Sequence, residues 1–490
     1  MKKIYLLIGI VFIGAQTMAQ NIIFTDVNFK NTLLSSGPNS PVAWDNANNR
    51  IAIDVNNDGE IQQSEAMLVY RLQVDNEGIQ DVNGIEFFTD VRILNVNNNE
   101  LVDLDVTAMV NLEVLYMGGN NLINPNFTNL PNLNLVYALD NPITTLDFTG
   151  VSSLETLLLG DNSFNALDIS LLTNLKELNI FGGAITSLDL SNQSLLEKLV
   201  VVNTQLASIN VSALQNLVEL SLINNELTTL DVSGLTSLEV LNAGGNNINT
   251  LTLFNNPALI GLNAFGNQLS SIDLSQAPAL TGLNLSDNLF TVIDITVLSN
   301  LIDLAVHDNQ LSVLDVSTNN DISELSATNN NLHFLDLSSL TGLILMEVNN
   351  NNLTYLNIQN TVLSQDVDNH FFDENPDLLQ ICVDEGEIAF ITQRALSYGY
   401  VNAVVEKCVL GISETFANEI KLYPNPTVDT IYIESFSNLL RIEIYTLDGK
   451  KVANFKEIET SINISSLSSG TYILKLSTER GDVFEKIIKE

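Results

Sequence analysis

The sequence contains very little positive charge. Its 490 residues include 19 Lys and Arg against 58 Asp and Glu, which gives a net charge of −39. This deficit excludes nucleic acid as a partner, because phosphate binding needs clustered Lys and Arg, and it disfavours an anionic membrane surface. Charged residues still make up only 16% of the chain and hydrophobic residues 45%, so the composition excludes a disordered acidic tail and predicts a packed core.

Long apolar runs are also missing. No run reaches the length of about 18 residues that a transmembrane helix needs. The N-terminus has the order of a secretory signal peptide: Lys2 and Lys3 precede a short apolar run over residues 4–13, and a small-residue cleavage site ends at Ala19. We predict a signal peptide over residues 1–19, export of the chain, and no transmembrane segment in the mature protein.

Catalytic signatures are absent as well. The sequence has no G-x-S-x-G, no H-E-x-x-H and no phosphate-binding glycine loop, and its only histidines are His307, His333 and His370. His307 is followed by Asp308, a pair that we interpret as solvated. The modules described below leave no segment long enough for a catalytic domain. We therefore predict that the protein is not an enzyme, and a carboxylate-based hydrolase is the least favoured alternative.

What dominates the sequence is a 21-residue repeat without insertion or deletion. Its thirteen units begin at Val91, Leu112, Leu133, Leu154, Leu175, Leu196, Leu217, Leu238, Leu259, Leu280, Leu301, Ile322 and Leu343. The general form is L-x-x-L-x-L-x-x-N-x-L-x-x-L-D-[VIL]-[ST]-x-x-x-x, which is the leucine-rich repeat signature. It resembles the 21-residue bacterial subclass with a second L-x-x-L-D-L half. We predict a leucine-rich repeat solenoid, mainly parallel β, over residues 91–363, because single coils cannot bury their own leucines.

Two polar columns run along the repeat. The Asn at position 9 of the unit is expected to satisfy backbone groups at the bend, and Gly183 and Thr204 interrupt this column, so we expect a local irregularity there. The Asp at position 15 has two interpretations, turn chemistry or calcium bridging between coils. Turn chemistry is favoured, because Asn or Thr replaces this Asp in several coils without other disruption.

A complete calcium-loop pattern precedes the repeat. Residues 54–65 read DVNNDGEIQQSE and match the EF-hand loop form D-x-[DN]-x-[DN]-G-x5-E at every position. The predicted calcium ligands are Asp54, Asn56, Asp58, Glu60 through its carbonyl, Gln62 through a water, and Glu65 with both oxygens. A helical run from Ser64 to Leu72 is expected to follow. We interpret the loop as a structural calcium site within an N-terminal cap over residues 20–90.

The two cysteines lie beyond the last repeat. Residues 364–410 resemble the capping segment of an open leucine-rich end, and in an exported chain the pair Cys382 and Cys408 is expected to form a disulfide. A catalytic thiol or a metal pair are the alternatives, and neither has a matching motif. A linker over residues 411–419 follows.

The last 70 residues differ from the rest in charge and pattern. Residues 420–490 hold 9 basic and 10 acidic residues, whereas residues 20–419 hold 8 and 48. Short alternating strands with Gly turns predict a β-sandwich. The order Y-P-N-P, I-Y-x-x-x-G-K, L-x-x-G-x-Y and a final K-I-I-K is similar to the type A C-terminal sorting domain of the type IX secretion system. This resemblance implies outer-membrane export, so the expected location is the cell surface or the medium, and the export machinery is an expected partner.

The strand face of the solenoid is the candidate binding surface. Its outward apolar and aromatic positions are Tyr116, Tyr137, Leu139, Leu158, Phe181, Val200, Val202, Ile223 and Phe265. An acidic stretch follows at Asp287, Asp303, Asp308 and Glu324, which would suit basic or calcium-bridged partners. We predict an adhesin-like binding protein for a protein or glycan on another cell or matrix. The alternative is a structural surface-layer or biofilm component.

Overall fold

The computed structural model of the protein describes residues 20–360, 369–408, 420–435, 439–446, 450–455, 461–478 and 481–489. The chain divides into two units, Met1–Leu178 and Asn179–Glu490, which are described in turn. The expected signal peptide over residues 1–19 and the expected linker over residues 411–419 lie outside the described residues.

The first unit begins with an irregular N-terminal segment. It contains helix α1 (Val27–Leu34), strand β1 (Ala43–Trp44), helix α2 (Gln63–Ala66), strand β2 (Arg71–Gln73) and a 3-10 helix (Ile85–Phe87). The carboxylate of Asp26 caps α1 by accepting a hydrogen bond from Phe29 N at 2.9 Å, and Phe29 and Leu33 bury the inner face of the helix.

The helix expected after the calcium loop is shorter than predicted. It covers only Gln63–Ala66, and the expectation of a helix to Leu72 was wrong. Strand β2 takes over this part of the chain, since Leu72 pairs with Ala43 on one side and with Leu94 of the first repeat on the other. The alternating burial of β2 therefore outweighs its local helix propensity.

The repeats of the first unit form a parallel ladder. Its strands are β3 (Ile93–Asn95), β4 (Val114–Tyr116), β5 (Leu135–Leu139) and β6 (Thr156–Gly160), and β7 (Glu177–Phe181) spans the boundary between the units. Each strand pairs with the next in a register of one repeat, and the central apolar side chains Leu94, Leu115, Val136 and Leu157 are fully buried.

The second unit contains the remaining coils of the repeat. On one side β8 (Lys198–Val202), β9 (Glu219–Ser221), β11 (Val240–Asn242), β13 (Gly261–Asn263), β14 (Gly282–Asn284), β15 (Asp303–Ala305), β16 (Glu324–Ser326), β18 (Leu345–Glu347) and β20 (His370–Phe371) follow one another in the sheet. The second half of the repeat forms strands in only some coils. Strand β10 (Thr229–Asp231) pairs with β12 (Thr250–Thr252) in a two-stranded sheet. A four-stranded sheet contains β17 (Phe334–Asp336), β19 (Tyr355–Asn357), β21 (Gln380–Cys382) and β22 (Val404–Glu406). Helix α3 (Ile388–Ser397) lies between β21 and β22.

The Asn column carries the hydrogen bonds expected of it. The side-chain nitrogen of Asn246 donates to Leu222 O at 2.8 Å and to Ala243 O at 3.1 Å, and its Oδ1 accepts from Leu227 N at 3.1 Å. At the interruption, the hydroxyl of Thr204 donates to Oδ1 of a neighbouring Asn of the column, so the chain of contacts is altered there.

The residue at position 8, immediately before the Asn column, has a positive φ in all thirteen coils. It is Asn, Asp or Gly at these positions: Asn98, Gly119, Asp140, Asp161, Gly182, Asn203, Asn224, Gly245, Gly266, Asp287, Asp308, Asn329 and Asn350. A left-handed backbone is costly for other L-residues, so this requirement explains the N-N, D-N and G-N pairs of the sequence.

The Asp column makes turn contacts. Asp231 Oδ1 accepts from Ser233 N at 2.9 Å, and the same contact two residues on recurs along the column. At two positions where Asn replaces Asp, the amide donates to the preceding coil: Asn126 Nδ2 to Asp105 Oδ2 at 3.2 Å, and Asn357 Nδ2 to Asp336 Oδ1 at 3.0 Å. These contacts agree with the turn interpretation.

The C-terminal module of the second unit is a β-sandwich, as predicted. Sheet one contains β23 (Ile420–Tyr423), β24 (Thr430–Ser435) and β27 (Ser461–Asn463), and sheet two contains β25 (Leu439–Thr446), β26 (Lys451–Phe455), β28 (Gly470–Thr478) and β29 (Gly481–Lys489). Ile431, Ile442 and Leu474 lie in its buried core. The apolar pattern continues from Ile462 to Leu467, but strand β27 ends at Asn463. Within the described parts of both units, no helix has the length and apolar character needed to cross a bilayer.

Candidate functional site

The strand face consists of the side chains at positions 3, 5 and 7 of each repeat, counted from its first Leu. These positions alternate with the buried leucines because successive side chains of a strand point to opposite sides. Three features distinguish this face: apolar patches, an acidic stretch, and a groove whose floor is formed by two glycines.

In the first unit, the predicted residues Tyr116, Tyr137, Leu139 and Leu158 all lie on this face and are half-buried. The rings of Tyr116 and Tyr137 are 5.9 Å apart. The Tyr137 ring also covers Gly118 of the preceding coil, where an added Cβ would lie 2.6 Å from Cε1 of the ring. The aromatic residues are therefore packed against the coil rather than extended into solvent.

In the second unit, Phe181, Val202 and Ile223 occupy position 7 of three successive coils. Phe181 is 39% exposed, and the other two are half-buried. Adjacent coils are joined beside them, because Gly182 N donates to Val202 O at 2.9 Å and Asn203 N to Ile223 O at 3.1 Å. The three side chains form a continuous apolar column, which we call the position-7 column.

Two other predicted residues behave differently. Val200 lies at an outward position of its strand, but it is only 7% exposed. It lies at position 5 in register with Ser221, which is also buried. Phe265 is half-buried, and its ring occupies the space above Gly244 that a Cβ would need.

The acidic stretch lies on the strands and the turns after them. Asp303 and Glu324 are directly opposite each other on β15 and β16, and both are exposed. Asp308 contacts Nδ1 of His307 at 2.8 Å, and this hydrogen bond holds the pKa of the Asp308 carboxyl below its usual value. Asp287 and Asp308 are exposed at left-handed turn positions. The His307–Asp308 pair is thus a surface contact.

A groove that sequence analysis did not anticipate lies on the strand face of the second unit and includes two residues of the acidic stretch. It has a volume of about 330 Å³, crosses strands β11 to β18, and is floored by Gly261 and Gly282 between Val240 and the pair Asp303 and Glu324. We call it the glycine groove. A signal for it exists in the sequence, since the tripeptide G-L-N occurs at 261–263 and again at 282–284, one repeat later.

The calcium-loop residues surround a tight turn in the first unit. Gly59 adopts φ +81°, and its N–H donates to Asp54 Oδ2 at 2.9 Å. Asn56 Oδ1 accepts from Asp58 N at 2.8 Å. Asp58 accepts from Glu60 N at 2.9 Å, and chiefly this bond keeps the pKa of its carboxyl below the usual value.

The other end of the loop is closed by Glu65. Its carboxylate is buried and accepts from Val55 N and Gln62 N, both at 2.9 Å. Lys30 forms an ion pair with the Glu60 side chain at 2.8 Å, which leaves the Glu60 carbonyl as the expected ligand. Among the described residues, no group of three or more His, Cys, Asp or Glu side chains is arranged to hold a metal ion. The donors are nevertheless the oxygen atoms that calcium prefers.

The two cysteines are joined. Cys382 and Cys408 form a disulfide with a Cα–Cα distance of 5.3 Å, which links β21 to the residues after β22. The hydroxyl of Tyr355 lies 3.2 Å from Sγ of Cys382, and burial raises the pKa of Tyr355 to about 12. The bridge therefore belongs to the packed C-terminal end of the repeats.

Comparison with protein families identifies the C-terminal module. Residues 421–490 match the family described as the secretion system C-terminal sorting domain. Together with the sandwich topology, the match confirms the predicted type IX sorting domain, which implies secretion to the cell surface. A comparison of the sequence with curated proteins finds no match.

Comparison with solved structures confirms the repeat fold. The chain is similar to the functional domain of InlJ from Listeria monocytogenes, at 22% identity and a TM-score of 0.51 over 88% of this chain and 93% of that one. It is similar to the internalin InlF from the same organism, at 23% identity and a TM-score of 0.53 over 67% and 96%. The leucine-rich repeat ectodomain of the Arabidopsis receptor kinase HAESA, in complex with a peptide hormone ligand, is 20% identical with a TM-score of 0.51 over 66% and 60%.

Proposed function

We propose that this type IX-secreted leucine-rich repeat protein is an adhesin-like binding protein, and that its strand face binds a protein on another cell or in the surrounding matrix. The observation that carries the proposal is the position-7 column. Three adjacent apolar side chains, one of them a 39% exposed Phe181, are held on a rigid sheet with no covering segment among the described residues. Aromatic and aliphatic side chains of this kind are common anchors of protein interfaces.

The proposal favours binding over catalysis. The strand face presents apolar side chains, amides and solvated carboxylates, and a relative of the same fold is seen with a peptide ligand. A rigid array of side chains on neighbouring strands suits recognition of a large surface, since repeat proteins use such faces for binding.

The test is adhesion of the mature full chain to arrayed matrix proteins and glycans, and to cells. The double variant Phe181→Glu and Val202→Glu should lose binding by at least about 100-fold, because two interface anchors each contribute on the order of 2 kcal/mol. The matched control is Val297→Glu, since Val297 is similarly exposed, at 43%, but lies in a turn away from the strand face. Unchanged adhesion of the double variant would refute the proposal. Calcium-dependent self-association without any partner would support the surface-layer alternative.

We further propose that the loop over residues 54–65 binds a structural calcium ion. Asp54, Asn56, Asp58, Gln62 and Glu65 would supply side-chain oxygens directly or through water, together with the Glu60 carbonyl. The fit rests on the closed loop: its carboxylates already face the loop's own N–H groups, and the sharp turn at Gly59 is in place. The bound ion would supply charge neutralisation and cross-linking of the loop.

Calcium should therefore raise the melting temperature of the mature protein, since a ligand at 100 times its Kd stabilises the folded state by about 2.7 kcal/mol. Calorimetric titration should show one site that Asp58→Ala removes, while Asp45→Ala, which changes a carboxylate of a different turn, keeps it. A melting temperature that responds to neither calcium nor chelator would refute the site.

A further inference from the structure

The glycine groove is a depression in an otherwise filled strand face. Position 3 carries Val240 on β11, but Gly261 on β13 and Gly282 on β14 place no side chain there. A Cβ at either glycine would meet no atom within 4 Å, and neither glycine has a positive φ. The backbone therefore does not require glycine at these two positions, and the visible consequence of having it is the open floor of the groove.

Amide side chains line the groove along its length. Asn242, Asn263 and Asn284 lie in register on three adjacent strands. Within the described residues their Nδ2 groups make no hydrogen bond, and Oδ1 of Asn284 is already engaged by Ser286 N at 3.0 Å. Neighbouring strands lie about 4.8 Å apart, so the groove offers a row of free N–H donors that suits a series of carbonyl oxygens.

The far end of the groove is negatively charged without compensation. Asp303 and Glu324 lie directly opposite each other, and like charges in that arrangement repel. No ion pair joins either carboxylate to another described residue, and the whole segment 199–393 contains 22 acidic residues and no Lys or Arg. A cationic group from outside the segment is the natural complement of these two carboxylates.

Beside one edge of the groove, exposed isoleucines alternate with Thr281 and Ser323. The residues immediately before Gly261, Asp303 and Leu345 are Ile260, Ile302 and Ile344, and their exposed fractions are 43%, 42% and 48%. Such an edge suits the aliphatic stems of Lys and Arg, which pack on apolar surfaces while the charged ends stay hydrated.

We propose that the glycine groove binds an extended polypeptide segment that carries Lys or Arg, with its backbone over the two glycines and a cationic side chain at Asp303 and Glu324. The inference deepens the proposed binding function and rests on it. A polypeptide combines the three features required, which are carbonyl acceptors, aliphatic stems and positive charge. A neutral glycan lacks the charge, and a polyamine lacks the carbonyl groups.

The groove crosses six strands from β11 to β18, a span of about 24 Å, which about eight extended residues would cover. The probe is therefore a fluorescent peptide in which Lys and Thr alternate over that length, added to the mature full chain. Fluorescence anisotropy should show saturable binding that weakens with salt, and the matching peptide of Glu and Thr should not bind.

Two double variants test whether the peptide binds in the glycine groove or is only attracted by the overall negative charge of the protein. The double variant Gly261→Val with Gly282→Val fills the floor of the groove with valine, the residue that β11 carries at the same position. It should weaken peptide binding at least about tenfold by steric exclusion. Asp303→Asn with Glu324→Gln should weaken it by a similar factor and reduce the salt dependence. The matched controls are Gly342→Val, an open glycine outside the groove, and Glu226→Gln, an exposed carboxylate outside it.

Circular dichroism spectra and melting curves establish that each variant is folded, and Gly261→Ser provides a smaller filling group if valine impairs folding. The inference is overturned if the filled groove binds the Lys peptide as well as the native one, if the controls lose binding equally, or if the Glu peptide binds as well. If the native protein adheres to its partner but does not bind the Lys peptide, the groove alone is refuted, whereas adhesion that survives changes at Phe181 and Val202 refutes the proposed adhesive face.

Discussion

Replacing Asn267 by Ala should be one of the most destabilising single changes on the solenoid. Asn267 is 8% exposed and connects two coils. Its Nδ2 donates to Ala243 O at 3.0 Å and to Ala264 O at 3.1 Å, and its Oδ1 accepts from Ile248 N at 2.9 Å. The substitution removes these contacts and a third donated bond, to Phe265 O at 3.1 Å. Ala243 O and Ala264 O keep the bonds that Asn246 and Asn288 donate to them, so the group left without its partner is the buried N–H of Ile248.

An unsatisfied buried N–H costs about 1 to 3 kcal/mol and a lost hydrogen bond about 1 kcal/mol, so the expected loss is about 2 to 4 kcal/mol, with the N–H as the largest part. In urea unfolding followed by circular dichroism, a slope near 3 kcal/mol/M converts this into a fall of the midpoint by about 1 M. The transition is expected to lose sharpness as well, because adjacent coils of a repeat protein stabilise one another.

Asn247→Ala is the matched control, since Asn247 follows Asn246 in the preceding coil and its side chain is exposed. Its effect should stay within about 0.5 kcal/mol. Asn267→Thr should fall between the two, because Thr occupies the same column at Thr204 and its hydroxyl there keeps one inter-coil contact. If Asn267→Ala unfolds at the same urea concentration as Asn247→Ala, the hydrogen bonds of the Asn column do not stabilise the coils.

Three further changes have defined outcomes. The hydroxyl and N–H of Ser170 hold the pKa of the Asp168 carboxyl below its ordinary value, so this group contributes stability above its unfolded pKa that is lost as the pH falls through the folded pKa. The melting temperature should fall on acidification below about pH 4, and less so in Asp168→Asn. Gly244→Ala should destabilise the fold by about 1 to 3 kcal/mol in urea unfolding, because the new methyl group overlaps the Phe265 ring. Reduction of the Cys382–Cys408 bond, which closes a separation of 26 residues, should cost about 3 kcal/mol and lower the melting temperature.

Each of these outcomes has a contrary result that is easy to recognise. A melting temperature that rises between pH 5 and 3 would contradict the sign derived for the Asp column. The control for Gly244→Ala is Gly282→Ala, since a Cβ at Gly282 would meet no neighbour. Equal destabilisation by both changes would show that overlap with the Phe265 ring is not the cause. For the disulfide, an identical melting curve with and without reductant would show that the bridge does not stabilise the C-terminal end.

The parts of the fold with a strict period were predictable from the sequence. The 21-residue spacing of apolar positions determined the coil, the parallel strands and their register, because only one alignment of neighbouring coils buries every leucine column. The alternating strands of the last 70 residues predicted the sandwich, though not the exact strand set, since β26 and the early end of β27 depend on partner strands rather than on local pattern. The helix expected to reach Leu72 failed for the same reason.

The candidate site was predictable only in part. Outward positions followed from strand alternation, yet Val200 proved buried and Tyr137 and Phe265 lie over glycines of neighbouring coils. Whether an outward side chain reaches solvent depends on the size of the side chains one repeat away on either side, and a single coil does not contain that information. The glycine groove arises in the same way, from two small residues that the register places side by side.

The sequence by itself determined the repeat, its register, the left-handed turns at Asn, Asp and Gly, and the export module, because each follows from local chemistry at a fixed period. Only the tertiary structure decided which side chains of the strand face are exposed and where the face has a groove. Both depend on the side chains of adjacent coils, because residues 21 positions apart in the sequence lie within one strand spacing of each other only in the folded protein.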